Sequence, residues 1–370
     1  MFPVPSNFEK FTDGDIRYLL GDKISDIFAE ADYRICNLEG ALTDGNGKCQ
    51  KTGPVIKAPT STISAFKELG IDCCTLANNH ITDAGHQGVV DTIATLDKAG
   101  IKYIGAGVDL ASINDHLKIE INGRRITLYN VAETMYNEPG AHSAGANLYD
   151  EYLVCKRLEE LSKDSDFLIV IYHGGVEKFR FPSPQTRKRF HRMVDCGANM
   201  VLSQHTHCVG SEEYYKGAYL LYGQGNFLFR SFNNEYTDTG LFLDLTIKEG
   251  EFEVKKHMVR AIEDTARYDE AQDFSAFDER SGHISDEEYV QQKFDEYCMN
   301  ELPLYLTNYT GKKTIVDKIR FKFFPDKNRE RILNDLYTPA QMLFTLHSLR
   351  SEQNREVAIN GLKQQLQKLK

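Results

Sequence analysis

Tryptophan is absent from the 370 residues, and aromatic volume rests on 21 Phe and 19 Tyr. Packing loses nothing by this, and no function follows from it. Also missing is any Cys-x-x-Cys pair among the eight cysteines, which argues against a zinc ribbon or a thioredoxin-type redox motif. Cys73 and Cys74 are adjacent in a strand-like run, where neighbouring side chains point to opposite faces and do not readily bond. Free, buried thiols are the expectation. No run of 18 apolar residues occurs, and the opening "MFPVPSNFEKF" lacks the basic start and apolar centre of a signal peptide. A reduced, cytoplasmic setting without a membrane anchor is therefore expected.

Positive charge is in deficit, with 44 Lys and Arg against 54 Asp and Glu for a net charge of -10. Such a chain lacks the field that gathers proteins on nucleic acid or on an anionic membrane surface. Two local basic stretches, residues 178–192 and 312–331, are read first as solvated faces. No internal repeat or low-complexity tract is visible. The balance of 41% hydrophobic and 26% charged residues is that of a soluble globular chain with enough length for one large domain or two ordinary ones.

From residue 24 to about 230 the patterns alternate. "STISAFKELG" and "HQGVVDTIATLDKAG" carry helical spacing and end in glycine, while "IDCCTLA" and "IKYIGAG" between and after them read as strands. "HLKIEINGRRITLYNVA" is a hairpin turning at Asn122-Gly123. The helix "EYLVCKRLEELSK", the strand "DFLIVIYHGG", a helix from Pro184 to Gly197 and the strand "ANMVLSQHTH" follow. Unbroken apolar runs such as "FLIVIY" predict strands covered on both faces. The expected product is a layered α/β domain over residues 1–260. From 261 to 370 the chain turns acidic, aromatic and helical, with a Ser-x-x-Glu capping box in "ISDEEY", a Thr-Pro helix start in "TPAQMLFTLHSL" and a leucine stripe in "REVAINGLKQQLQKLK". This reads as a helical extension packed on the main domain, or as helices that dock a second subunit.

Chemistry-bearing residues recur immediately after apolar strands: Glu39 after "YRICNL", Asn79 and His80 after "CCTLA", His173 after "FLIVIY", and His205 and His207 after "NMVLS". Strand ends are where open α/β sheets place their sites. One such histidine is as readily structural; separate strands that all end this way are not explained by packing. Imidazole nitrogens with carboxylate and amide oxygens suit Zn, Mn, Fe or Ni, and the lack of thiolate argues against a structural zinc. A His-x-His pair on an extended segment sends both rings to one face.

In order along the chain, "ICNLEG", "LANNHITDAG", "IKYIGAG", "YHGGVEKF", "LSQHTHCVG" and "YGQGNFLF" resemble the CapA-type family named for poly-γ-glutamate capsule synthesis. The resemblance covers about residues 6 to 247. It implies an αββα sandwich like that of the calcineurin-like metallophosphoesterases, whose mixed sheets agree with the strand pattern, and the C-terminal helical extension follows beyond it. By the same resemblance Glu39, Asn79, His173, His205 and His207 are metal ligands for one or two divalent transition metals such as Mn, Zn or Fe. His80 is the residue that touches the leaving oxygen, and Asp83, Glu177 and Asn226 stand behind the ligands or touch substrate. One departure is that the family's first strand ends in Gly-Asp, whereas "MFPVP" occupies that place here; either the start lies upstream or one metal position lacks a ligand. The function implied is metal-assisted hydrolysis of an anionic small molecule or polymer. The competing reading is a non-catalytic capsule or envelope component that binds an anionic polymer.

Overall fold

The computed structural model describes residues 1–49, 54–135, 137–229 and 234–309, together with Val316. The helices expected at 338–349 and 355–370, and all of the basic stretch 312–331 except Val316, lie outside the described residues. The chain forms two compact units, Met1–Phe294 and Asp295–Lys370. Every strand among the described residues belongs to the first.

Helix α1 (Ile16–Glu30) is capped by Asp15, whose side chain accepts from the Tyr18 amide. This cap accounts for Gly14-Asp15 as a helix start. Strand β1 (Ile35–Asn37), helix α2 (Ile63–Glu68), strand β2 (Cys73–Thr75), helix α3 (Gly85–Ala99) and strand β3 (Lys102–Ile104) follow in the expected alternation. α3 stops at Gly100, whose φ of +74° is the left-handed C-cap that glycine adopts without strain. Strands β4 (His116–Ile121) and β5 (Arg124–Ala132) form the hairpin, and Asn122 and Gly123 both take positive φ, 51° and 75°, as its tight turn demands.

Helix α4 (Glu151–Ser162), strand β6 (Phe167–His173), helix α5 (Pro184–Asp195) and strand β7 (Met200–Gln204) come next. They are followed by β8 (Glu212–Tyr215), β9 (Ala218–Leu221) and a meander of β10 (Thr239–Lys248), β11 (Glu251–Ile262) and β12 (Thr265–Tyr268). Helices α6 (Ser275–Gly282) and α7 (Glu287–Tyr309) complete the described chain. The α7 cap is Asp286, which accepts from the Tyr289 amide, and not the expected Ser285.

β1, β2 and β3 make a parallel sheet, and the larger sheet runs β8-β9-β7-β6-β5-β4, parallel at its centre and antiparallel at both edges. The layering follows from alternation along the strands. In β6, Phe167, Ile169 and Ile171 pack with Cys73, Ile104 and Leu241 between the sheets. Leu168, Val170 and Tyr172 point the other way, onto Leu158 of α4 and Phe190 and Met193 of α5. On the far side of the small sheet Cys74 meets Leu19 and Ile24 of α1, Phe66 of α2 and Val89 and Leu96 of α3. Cys73 and Cys74 thus serve opposite cores, as their adjacency requires. With each large aliphatic side chain contributing roughly 1.5–3 kcal/mol on burial, three such seams fix both sheets and hold their carboxyl ends side by side.

The sequence suggests a boundary at 260, but the first unit continues to Phe294. β12 extends the meander beyond β11, and Phe277, Ile284 and Val290 are buried in the cores of that unit.

Candidate metal centre

β1 and β2 lie side by side in one sheet, β6 and β7 in the other, so their carboxyl ends face a common point. Glu39 follows β1, Asn79 and His80 follow β2, His173 ends β6, and His205 and His207 follow β7. Glu39, His173 and His205 each offer a ligand atom within 4.8 Å of the others. Glu39 Oε1 is 3.8 Å from His173 Nε2 and 3.8 Å from His207 Nε2. The Asn79 Oδ1 atom lies 3.0 Å from His173 Nε2. Donors held about 2.1 Å from a shared ion sit roughly 3–4 Å apart, so the two 3.8 Å separations suit a cation better than direct hydrogen bonds, while 3.0 Å between Asn79 and His173 fits either.

Buried polar atoms supply an independent test of fit. Glu39 Oε1 and His205 Nδ1 are buried without a hydrogen-bond partner. His173 Nδ1 is unpartnered too, but it is the ring nitrogen turned away from Glu39 and Asn79, which Nε2 faces. Leaving such atoms unpaired is costly, and for a carboxylate oxygen especially so. Burial would push Glu39 up, but the imidazoles of His173, His207, His80 and His205 outweigh it and hold the carboxyl down at about 2. Burial pushes His173 well below its ordinary value, and it lowers His205 too. These directions leave Glu39 anionic and favour neutral imidazoles at His173 and His205, the protonation states that bind a cation.

Neighbouring groups orient the donors. Asn226 Nδ2 donates to the Thr237 carbonyl, so its Oδ1 faces His207 Nδ1 as an acceptor at 2.9 Å. His207 therefore carries its proton on Nδ1 and turns a lone pair at Nε2 toward Glu39. Asn37 Nδ2 donates to Glu39 Oε2 at 3.2 Å. Asp83, fully buried, lies 2.7 Å from His80 Nδ1 and also accepts from the Ile56 amide. Asn78 caps backbone, its side chain donating to Leu38 O and accepting from His80 N. Glu177 Oε1 stands 3.9 Å from His205 Nε2 with an exposed side chain.

The His-x-His geometry differs from expectation. β7 ends at Gln204, and His205 and His207 take φ of +93° and +53°, so the segment is a turn and not an extended strand. Both rings still approach Glu39, at the cost of backbone strain of the kind that collects at functional sites. Two cations of the basic helix α5 are engaged internally: Arg187 pairs with Glu213 at 2.7 Å, and Arg189 pairs with Glu133, while Lys188 and Arg192 are exposed.

Glu133 escapes the sequence reading, although it follows β5 just as the other ligand-type residues follow their strands. Its carboxylate accepts from Tyr172 Oη at 2.7 Å and from the Gly175 amide at 3.1 Å.

The family profile described as "Bacterial capsule synthesis protein PGA_cap" matches residues 6–231. The chain belongs to that family. Within it, the chain is 29% identical over 216 residues to a "Capsule biosynthesis protein CapA" from Bacillus anthracis, spanning 56% of this chain and 52% of the relative. It is 26% identical over 212 residues to a "PGA biosynthesis protein CapA" from Bacillus subtilis, spanning 56% and 55%. The chain therefore spans about half the length of the curated relatives it matches. Among solved structures it is similar to a novel phosphatase from Mycoplasma pneumoniae, with a TM-score of 0.44 and 15% identity over 74% of this chain and 94% of that one. A putative 5'-nucleotidase from Staphylococcus aureus gives 0.40 and 16%, over 61% and 44%. Likeness this distant carries no argument about activity.

Proposed function

We propose that this PGA_cap-family protein is a metal-dependent, phosphoesterase-like hydrolase of an anionic substrate, acting in the synthesis of a capsule or other envelope polymer. The observation that carries the reading is the meeting of Glu39 with His173, His205 and His207, with the carboxylate oxygen Glu39 Oε1 buried and left without a hydrogen bond. Glu39, Asn79, His173, His205 and His207 would hold one or two divalent transition metals (Mn, Zn or Fe). When bound, such an ion polarises a phosphoryl oxygen and lowers the pKa of coordinated water. Asp83 fixes the His80 ring through Nδ1. Nε2 is then the atom from which a proton passes to the leaving oxygen. Asn226 keeps His207 in one tautomer, and the buried strand ends limit the access of bulk water.

Among the described residues no helix is long and apolar enough to cross a membrane. The free cysteines among them agree with work in a reducing compartment. The test is to purify the protein, measure bound metal, and assay generic phosphodiesters with and without added Mn or Zn. Metal-free protein that no added metal activates would reject the proposal. A second reading, a non-catalytic binder of anionic polymer, draws support from Asn79 and His173, which are close enough to satisfy each other. On that reading His80→Ala leaves cellular function intact, while deletion of residues 340–370 abolishes it.

A further inference from the structure

The loop that follows β5 offers no metal ligand, yet it touches both halves of the site. At one end Glu133 encloses His173. The Glu133 amide donates to the His173 carbonyl at 3.0 Å, and the carboxylate accepts from Tyr172 Oη, one residue before His173, and from the Gly175 amide, two residues after it. Arg189, stacked on the Tyr149 ring at 4.8 Å, pairs with the same carboxylate and fixes it from α5. The glycines after His173 suit this contact. A Cβ on Gly174 would stand 2.6 Å from Glu133 Cγ, and Gly175 takes φ of +106° to present its amide.

At the other end Asn137, fully buried, donates to the Asn78 carbonyl at 3.1 Å and to the Glu133 carbonyl at 3.1 Å. Its Oδ1 accepts from the Met135 amide at 2.7 Å, and the Met135 sulfur accepts from Asn79 Nδ2 at 3.5 Å. One short loop is thus bonded to the His173 turn and to the Asn79-His80 turn, which belong to different sheets.

We infer that Glu133 and Asn137 form a brace between the two sheets that sets the spacing of His173 and Asn79 around the cation. Both are positioning residues. The inference rests on the proposed metal site, and cobalt separates the two. Apo protein is titrated with Co(II), following the visible d–d bands and the dissociation constant, and metal-free stability is followed by thermal melting.

Wild type is expected to bind Co(II). Glu133→Ala should bind at least tenfold more weakly with altered bands, the size usual for groups that orient a ligand. Glu133→Gln keeps an oxygen for the Gly175 amide and should recover much of the loss. Asn137→Ala should weaken binding from the other end and serves as the test if the Glu133 variants do not fold. A Leu19→Ala core variant in α1, on the far side of the small sheet, controls for stability and should keep wild-type affinity and bands. Unchanged Co(II) affinity and bands in Glu133→Ala, or in Asn137→Ala where that variant alone folds, would overturn the brace. An equal loss of affinity in Leu19→Ala, when its melting temperature matches that of Glu133→Ala, would overturn it as well. No Co(II) binding by wild type would instead refute the metal site itself.

Discussion

His80 is the residue where position and chemistry can be separated. It is buried, its Nδ1 is held by Asp83, and its backbone is held by the Asn78 side chain. If it protonates a leaving oxygen, its removal should hurt most where the leaving group is a poor one. We expect His80→Ala to lower kcat by about 10²–10⁴ on an alkyl phosphodiester, the usual worth of a general acid. The loss should be far smaller on a nitrophenyl ester, whose leaving group departs without a proton. Equal losses on both substrates would remove the acid role. Asp83→Asn should fall in the same direction and also loosen the Ile56 segment, because the Asp83 carboxylate accepts from that amide. Asn79 and His80 are legible in sequence because two ligand-type residues at the end of a buried strand lack a packing explanation. Glu133 is not, since a carboxylate outside a known motif reads as surface until its partners are seen.

At the scale of elements, the strands and helices around the site follow from period and punctuation, while their coupling does not. The Asn122-Gly123 turn, the glycine stop of α3 and the doubly covered β6 are local consequences of residue type. Asn130 shows what is not local. Inside β5 it is fully buried, its Oδ1 accepts from the Ala77 amide at 2.8 Å, and its Nδ2 donates to the Ile171 carbonyl at 2.9 Å. One amide thereby ties the large sheet to the segment that leads into Asn78, Asn79 and His80. Gly105 makes room for it, since a Cβ there would come within 2.0 Å of Asn130 Oδ1. A polar residue in a strand pattern signals only an interruption, and nothing in sequence names its partner. Asn130→Ala should cost about 2–4 kcal/mol, combining a cavity with an unpaired buried amide. Urea unfolding measures this, and a loss under about 0.5 kcal/mol would show that the tie carries no stability.

For the molecule as a whole, two electrostatic effects of opposite sign set the response to acid. The net charge of -10 falls as pH drops toward the pI near 5.6, which relieves self-repulsion and favours the folded state. Below that range buried carboxylates with partners begin to lose them. Glu213 of β8 is such a group, with Arg187 at 2.7 Å, Tyr222 Oη at 2.8 Å and His191 Nε2 at 3.1 Å. Burial opposes its ionisation, but His191, Arg187 and Tyr222 together win and hold its pKa at about 2. A depressed carboxylate contributes stability that is complete above its unfolded value near 4.5 and disappears as pH falls toward 2. The size is on the order of 3 kcal/mol, and the side chain is only 12% exposed, so solvent screening removes little of it. Glu213→Gln mimics the protonated form, so wild type should exceed it by about that amount at pH 6. The gap should shrink steadily as pH falls from 4.5 toward 2, because Glu213 of the unfolded chain gains its proton while the folded carboxylate stays ionised. Denaturant titrations of both proteins across this range measure the gap directly. A difference that stays constant with pH would mean that Glu213 holds α5 to its sheet through shape and hydrogen bonding, with no part played by its charge.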